Sequence, residues 1–426
     1  MPVDPLSLLM LPTLPFKRLC SVPSDLASAT DRAPEVRPTD VGLADAACER
    51  VWRSVEALYR TGLYPAVQLC VLYRGAIVLD RALGFASGNA PGDPSDAPKI
   101  PVTTATPFCI YSASKAVTAM VIHKLDDRGA LHVDDRVCDY LPEFGRGAKS
   151  KITIAHVLCH RAGIPNIPRG AMELDLLERP DEIIRLLAEM PLVARPGRRL
   201  AYHAVTGGFV LGEVVRRATG EDIRTVLAKE IREPLGLRWL SYGVSREDLP
   251  RVASDVLTGI PPLPPAAQVL ERALGAPVRR VIEIARDPRF LTGILPAANV
   301  VTTARELALF YECLRNEGTL GRVRVFEPRT VRRATSEQSF WELDLTLGVP
   351  LRYGLGFMLG GRVWSLFGPD TGHAFGHLGF TNVVGWADPR RELAVALITS
   401  GKPFFNIEAL RFYQFLMAIG REFPKA

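Results

Sequence analysis

Long apolar runs are missing from this 426-residue chain. The one apolar stretch near its start, MPVDPLSLLMLPTLPFKRL, has no early positive charge and is interrupted by Pro5, Pro12 and Pro15. It matches a secretory leader poorly and is too short to cross a bilayer. Residues 1–40 are expected to form a packed or irregular extension, and the chain reads as cytoplasmic, without integral membrane association. Cysteine is sparse. The seven residues are odd in number, widely spaced and without a C-x-x-C pair, which argues against a disulfide framework or a zinc ribbon and for reduced, buried thiols. Excess charge of one sign is also in short supply. Lys and Arg total 52 against 46 Asp and Glu, and the basic residues are scattered. No basic run is interleaved with aromatics, so no nucleic-acid partner is expected.

Several chemical signatures are absent as well. There is no G-x-x-x-x-G-K-[ST] loop and no dinucleotide fingerprint, which removes nucleotide chemistry. There is no G-x-S-x-G elbow, which argues against an α/β-hydrolase. His156, His160 and the carboxylates of DLLERPDE lack metal-ligand spacing. No cofactor and no metal are expected, the partner is a small molecule, and the oligomeric state is left open.

What is present is an ordered change of pattern. Apolar positions recur at helical spacing from Asp45 to Leu58. PAVQLCVLYRGAIVLDRALG then carries two β-rich runs around Arg74-Gly75, a hairpin signature. Residues 86–100 read as a loop. Helical patterns follow at 112–128, 152–163, 180–190, 205–219 and 221–232. The segment 255–300, with its PPLPP, predicts a loop holding one helix around 266–286, and 302–318 predicts a strong helix. YGLGFML, NVVGWAD and ELAVALITS return to strand character, and NIEALRFYQFLMAIGREF closes as an amphipathic helix. Strands at both ends with helices between them predict an α+β chain, its sheet built from both termini. The expected division is 1–40 as an extension, 41–110 with 300–426 as an α/β sheet domain, and 111–299 as a helical domain, the active site between the last two.

Ser112 and Lys115 stand three residues apart in FCIYSASKAVTAMVIHKLDDRG, the only S-x-x-K in the chain. Residues i and i+3 share a helix face. A hydroxyl alone is a weak nucleophile and needs an adjacent base, and a desolvated lysine can lose its proton near neutral pH. The pair suits attack by Ser112 with Lys115 receiving its proton. The competing reading is an N-cap serine beside a solvated lysine. In PGRRLAYHAVTGGFVLGEVVRRATG, Tyr202 lies after a Pro-Gly turn and before a helix. A phenol beside a lysine can have a lowered pKa and act as a general base. AFGHLGFTNVVGWADP sets His377-Leu378-Gly379 on a strand, where glycine allows close backbone approach and an N–H can serve as an oxyanion donor. Tyr111, Phe375 and Phe380 flank these motifs and are apolar enough to line a pocket. His203 is read as structural, because a Ser–Lys–Tyr set needs no imidazole. His123 and His132 have no partner pattern.

The order Ser-x-x-Lys, Tyr, His-x-Gly resembles the serine β-lactamase and penicillin-binding-protein superfamily. It is most similar to the class C β-lactamase-like branch that includes the family VIII carboxylesterases. LHVDDRVCDYLPEF, ITIAHVLCHRAGIP, ILPAANVVTTARELALFY and YGLGF support this over roughly residues 45–420. The resemblance implies a β-lactamase/transpeptidase-like fold with an antiparallel sheet flanked by helices. It implies an acylated Ser112, Lys115 as its base, Tyr202 as proton shuttle to the leaving group, and an oxyanion hole from the N–H groups of Ser112 and Phe380. His377 takes the place of the lysine in the family's Lys-Thr-Gly motif, and His160, in LCHRAG, becomes a scaffold residue below the site. Two departures matter. The Tyr-x-Asn of true β-lactamases is Tyr202-His203-Ala204 here, and the carboxylate-pairing lysine is missing. Both suit a neutral ester. The expected activity is hydrolysis of small, short-acyl carboxylic esters through an acyl-serine. The alternatives are acyl transfer, β-lactam or D-amino-acid amide hydrolysis, and a catalytically silent scaffold.

Overall fold

The computed structural model describes residues 18–425 apart from 168–173, 263, 265 and 405–407. Most of the apolar N-terminal stretch and the first residues of the segment 406–423 lie outside the described residues. A sheet of ten strands dominates. In chain order these are β1 (Thr30–Arg32), β2 (Ala66–Tyr73), β3 (Ala76–Ser87), β4 (Ile100–Pro101), β5 (Ser339–Leu343), β6 (Pro350–Tyr353), β7 (Met358–Leu359), β8 (Phe375–Leu378), β9 (Val384–Asp388) and β10 (Leu393–Thr399). Their order across the sheet is β1-β3-β2-β10-β9-β8-β7-β6-β5, with β4 on β3, and every pairing is antiparallel. The expected joining of both ends of the chain occurs at β2–β10, where Val67 faces Thr399 and Tyr73 faces Leu393.

The central strands are apolar on both faces because both faces are covered. Val67, Leu69 and Val71 pack with helix α1 (Ala47–Tyr59) and with Phe415 and Ile419 of the C-terminal helix Glu408–Glu422. The alternate residues Cys70 and Leu72, with Ala394 and Ala396 of β10, pack with Leu307 and Phe310 of the helix Ala304–Arg315. The hairpin expected at Arg74-Gly75 forms there, both residues taking positive φ (51° and 80°), the geometry of a tight turn between twisted strands.

Several expectations change in detail. The stretch read as one helix over 112–128 is a 3₁₀ turn, Tyr111–Ala113, followed by helix α2 (Ser114–Asp127). The helix expected at 152–163 is only Ile154–Leu158, capped by Thr153 and ended by a left-handed His160 (φ 60°). The single helix expected around 266–286 is two, Ala266–Leu274 and Val278–Ala285, because Gly275 and Pro277 interrupt it. The helix expected at 221–232 forms as an α-helix, Ile223–Leu227, that runs into a π-helical stretch, Ala228–Arg232. Residues 30–32, read as part of an extension, are an edge strand.

That edge is fastened by charge. The buried Arg81 guanidinium donates to both Glu35 oxygens at 2.7 Å, and the Asp80 N–H donates to Glu35 Oε1 at 2.9 Å. Charge-assisted pairs of this geometry contribute more than neutral ones. Glu35→Ala should lower the stability measured by urea unfolding by about 1–3 kcal/mol. No change in the unfolding midpoint would show that β1 is not held this way.

Candidate active site

Three segments far apart in the chain meet at the start of α2. Lys115 lies in the first turn of α2, directly after the turn that carries Ser112. Its Nζ lies 3.1 Å from Ser112 Oγ and donates to the carbonyls of Ala204 (2.7 Å) and Ala297 (3.0 Å). Two carbonyls take up both N–H groups of a neutral amine, which leaves its lone pair for the Ser112 hydroxyl. Burial, with no carboxylate opposing it, pulls the Lys115 pKa from 10.5 down to about 7; removal from water disfavours the ammonium.

Both carbonyls are held in place. Ala204 lies in the irregular segment before helix α3 (Thr206–Thr219), whose N-cap is Val205. Ala297 sits in a turn organised by the fully buried Asn299, whose amide donates to Phe290 O (2.8 Å) and Gly293 O (2.9 Å) and whose oxygen accepts from Leu295 N (2.9 Å). Thr118, one turn beyond Lys115, donates to Pro296 O at 2.6 Å.

Tyr202 closes the group. Its ring centroid lies 4.8 Å from Lys115 Nζ, and its phenol is close enough to Ser112 for that hydroxyl to act on its titration. The expected lowering of its pKa is not what the geometry gives. Burial drives the phenol upward, the Ser112 hydroxyl only partly offsets this, and Asp344 adds to the rise. Tyr202 is therefore a protonated group that can donate. Its main chain is anchored by Asp344, a fully buried carboxylate whose Oδ1 accepts from the N–H groups of Tyr202 (3.0 Å), Thr346 (2.9 Å) and Leu347 (3.0 Å).

His377 lies on β8 with its ring 6.4 Å from that of Tyr202 and its Nδ1 2.7 Å from Leu378 O. Burial, with Lys115 adding to it, pushes it down to about 3. It is neutral and supplies no cation. His160 packs on Tyr202 (4.6 Å) and Tyr353 (5.0 Å), and its Nδ1 accepts from His203 N. His203 Nε2 accepts from Ile164 N at 3.3 Å. Both rings buttress the site, as their structural reading requires.

Beyond His377 the chain leaves the strand. A Cβ on Gly379 would come within 2.3 Å of Ile110 O, so only glycine lets this strand end lie against the segment that carries Ser112. Phe380 follows, its ring 5.5 Å from that of Tyr111. The described main-chain bonds engage neither the Ser112 nor the Phe380 N–H. Tyr111 is buried. Phe375 is buried too, edge-on to Phe357 at 5.6 Å in the main core, so it supports β8 from inside. Ser112, Lys115, Ala204 and Phe380 keep partial exposure as residues. A cleft of about 860 Å³ by β5, lined by Phe340, Trp341, Trp364 and Arg390 among others, includes none of these groups. Among the described residues no three His, Cys, Asp or Glu side chains gather closely enough to hold a metal ion, and no helix is long and apolar enough to cross a membrane.

Residues 53–415 match the Beta-lactamase family. The chain belongs to that family. It is similar to the esterase/beta-lactamase LipL of Mycobacterium tuberculosis, 30% identical over 84% of this chain and 82% of the relative. Among solved structures it resembles a family VIII carboxylesterase, with a TM-score of 0.75, 27% identity, and coverage of 88% of this chain and 98% of the other. It also resembles a penicillin-binding-protein homologue from Caulobacter crescentus, with a TM-score of 0.74, 26% identity and the same coverage. The β-lactamase/transpeptidase fold, a mixed arrangement of helices around an antiparallel sheet, follows from these matches and from the topology above.

Ser112, Lys115 and Tyr202, singled out in the sequence, lie together here, and the residues that brace them were not among the sequence expectations. Asp344 had a local signal, since Asp-Leu-Thr-Leu-Gly is an Asx-turn pattern, but nothing near it in sequence points to Tyr202. Asp344→Ala strands three main-chain donors, at about 1–3 kcal/mol for each one buried. Asp344→Asn keeps an acceptor oxygen. Urea unfolding should show the alanine variant losing at least about 3 kcal/mol and the asparagine variant less than half of that; equal losses would mean the acceptor is not what matters.

Proposed function

We propose that this chain is a serine hydrolase that cleaves small, short-acyl carboxylic esters through an acyl-Ser112 intermediate. The observation that carries the reading is the Lys115 amine, tethered by two carbonyls with Ser112 Oγ as its third contact. Ser112 Oγ attacks the ester carbonyl carbon as its proton passes to the Lys115 lone pair. The oxyanion is held by the N–H groups of Ser112 and Phe380, donors each worth about 10²–10³ in rate. When the carbon–oxygen bond to the alcohol breaks, Tyr202 O–H protonates the departing oxygen, and the Lys115 ammonium returns a proton to Tyr202. Water then attacks the acyl carbon, its proton passes to the Lys115–Tyr202 pair, and Ser112 leaves with a proton restored.

The substrate class rests on charge. His377 is neutral where a lysine would meet a substrate carboxylate, and Ala204 stands where an asparagine would grip a side-chain amide. A neutral ester needs neither. The names of LipL and of the family VIII carboxylesterase agree with ester chemistry. The LipL name also favours a second reading, β-lactam opening by the same acyl-enzyme, which nitrocefin turnover tests.

Ser112→Ala should abolish turnover of p-nitrophenyl butyrate, and wild-type activity in that variant would end the assignment. Tyr202→Phe should lower kcat by about 10²–10⁴; a loss under tenfold removes it from proton transfer. Lys115 must be neutral to act, so kcat/KM should climb about tenfold per pH unit below about 7 and level off above it. A profile flat from pH 5.5 to 9 would contradict a lysine base.

A further inference from the structure

Tyr111, the residue before the nucleophile, has a φ of 47°. That region is unfavourable for a bulky side chain, and a residue stays there only when its surroundings over-determine it. What holds Tyr111 is a buried chain of polar groups. Its hydroxyl donates to Asp255 Oδ2 at 2.8 Å. Asp255 Oδ1 lies 3.1 Å from Lys402 Nζ. Lys402 Nζ also donates to Thr399 O at 2.7 Å and stands 4.8 Å from the centre of the Tyr111 ring. Lys402 is fully buried and Asp255 is 6% exposed. The pair is aligned by the backbone, because Gly401–Lys402, just beyond β10, runs parallel to Val256–Leu257.

Burying two charges is costly, and such a pair is often no more stabilising than apolar residues of the same volume. Its position suggests what it does instead. Tyr111 is bonded to Ser112 on one side, and its ring lies against Phe380 on the other (5.5 Å). Phe380 is in turn backed by Phe404 at 5.1 Å. Tyr111 thus belongs to one of the two segments whose N–H groups lack a main-chain partner, and its ring lies against the other. We propose that Tyr111, Asp255 and Lys402 form a positioning unit that holds the strained Tyr111 backbone and, through it, aims the Ser112 and Phe380 N–H groups at the substrate oxygen. None of the three touches the reacting atoms. The inference rests on reading Ser112 as the acyl acceptor.

The test is Tyr111→Phe, which keeps the ring and removes the bond to Asp255. An oxyanion hole built for oxygen penalises the larger, weakly accepting sulfur of a thionoester. The ratio of kcat/KM for an ester over its thiono analogue therefore reports on donor alignment, which a merely structural residue would not move. Tyr111→Phe should lower kcat for p-nitrophenyl butyrate about 10–100-fold with KM within threefold, and should lower the ester/thionoester ratio at least tenfold. A ratio and a kcat within twofold of wild type overturn the proposal. Should that variant not fold, the double variant Asp255→Leu, Lys402→Met, which removes both charges together, is read in the same way and against the same limits. If the wild-type protein turns over no ester, the proposed function fails by itself. Amide hydrogen exchange at Ser112 and Phe380 then decides, with at least tenfold faster exchange in Tyr111→Phe expected and unchanged exchange overturning the positioning role.

Discussion

The structure around the site depends on keeping one amine away from water without giving it a counter-charge. Lys115 meets two carbonyls and one hydroxyl, and no carboxylate acts on it. A carboxylate would stabilise the ammonium and remove the proposed base. The environment therefore has to be polar enough to satisfy the N–H groups and not polar enough to fix a charge. Carbonyls supplied by rigid turns meet both demands. Much of the surrounding architecture, including Asn299 in its turn, Thr118 on Pro296 and the irregular entry to α3, serves to keep those two oxygens still.

The same economy of charge shapes the rest of the site. His160, His203 and His377 are all buried and pushed to the neutral side, with the Lys115 charge adding to each shift. The imidazoles act as flat polar packing pieces. The carboxylates that do come near, Asp344 and Asp255, are turned to main-chain N–H groups, a phenol and a buried lysine, and neither bonds to Lys115. A centre with few fixed charges of its own suits the uncharged ester proposed as its substrate.

Legibility in the sequence followed the range of each interaction. The S-x-x-K pair could be read because three residues place two side chains on one face, and the hairpin because Arg74-Gly75 concentrates its signal in two positions. The joining of both chain ends into one sheet could be read from where the β-rich runs fall. Helix limits failed where local geometry has a job at the site. Tyr111–Ala113 winds as a 3₁₀ turn with Tyr111 strained, and the expected helix at 152–163 stops at a left-handed His160 that packs on Tyr202. The bracing residues were invisible for a related reason. Asp255 reaches Tyr111 across 144 positions, and Asp344 reaches Tyr202 across 142, so no local pattern carries either contact. The pKa direction of Tyr202 was misjudged because a neighbouring lysine is visible in sequence and burial is not.

The pairing of β2 with β10 also bears on how the protein is made. Ala66 donates to Ser400 across 334 positions, and Arg50 pairs with Glu422 across 372. Contacts of such separation form late, because the loop they close must first be ordered. As the chain leaves the ribosome, Ser112, Lys115 and Tyr202 emerge long before β8, Phe380 and Lys402 can join them. Throughout translation Ser112 and Lys115 are present without half of their surroundings, and the arrangement described above is complete only when the later strands arrive.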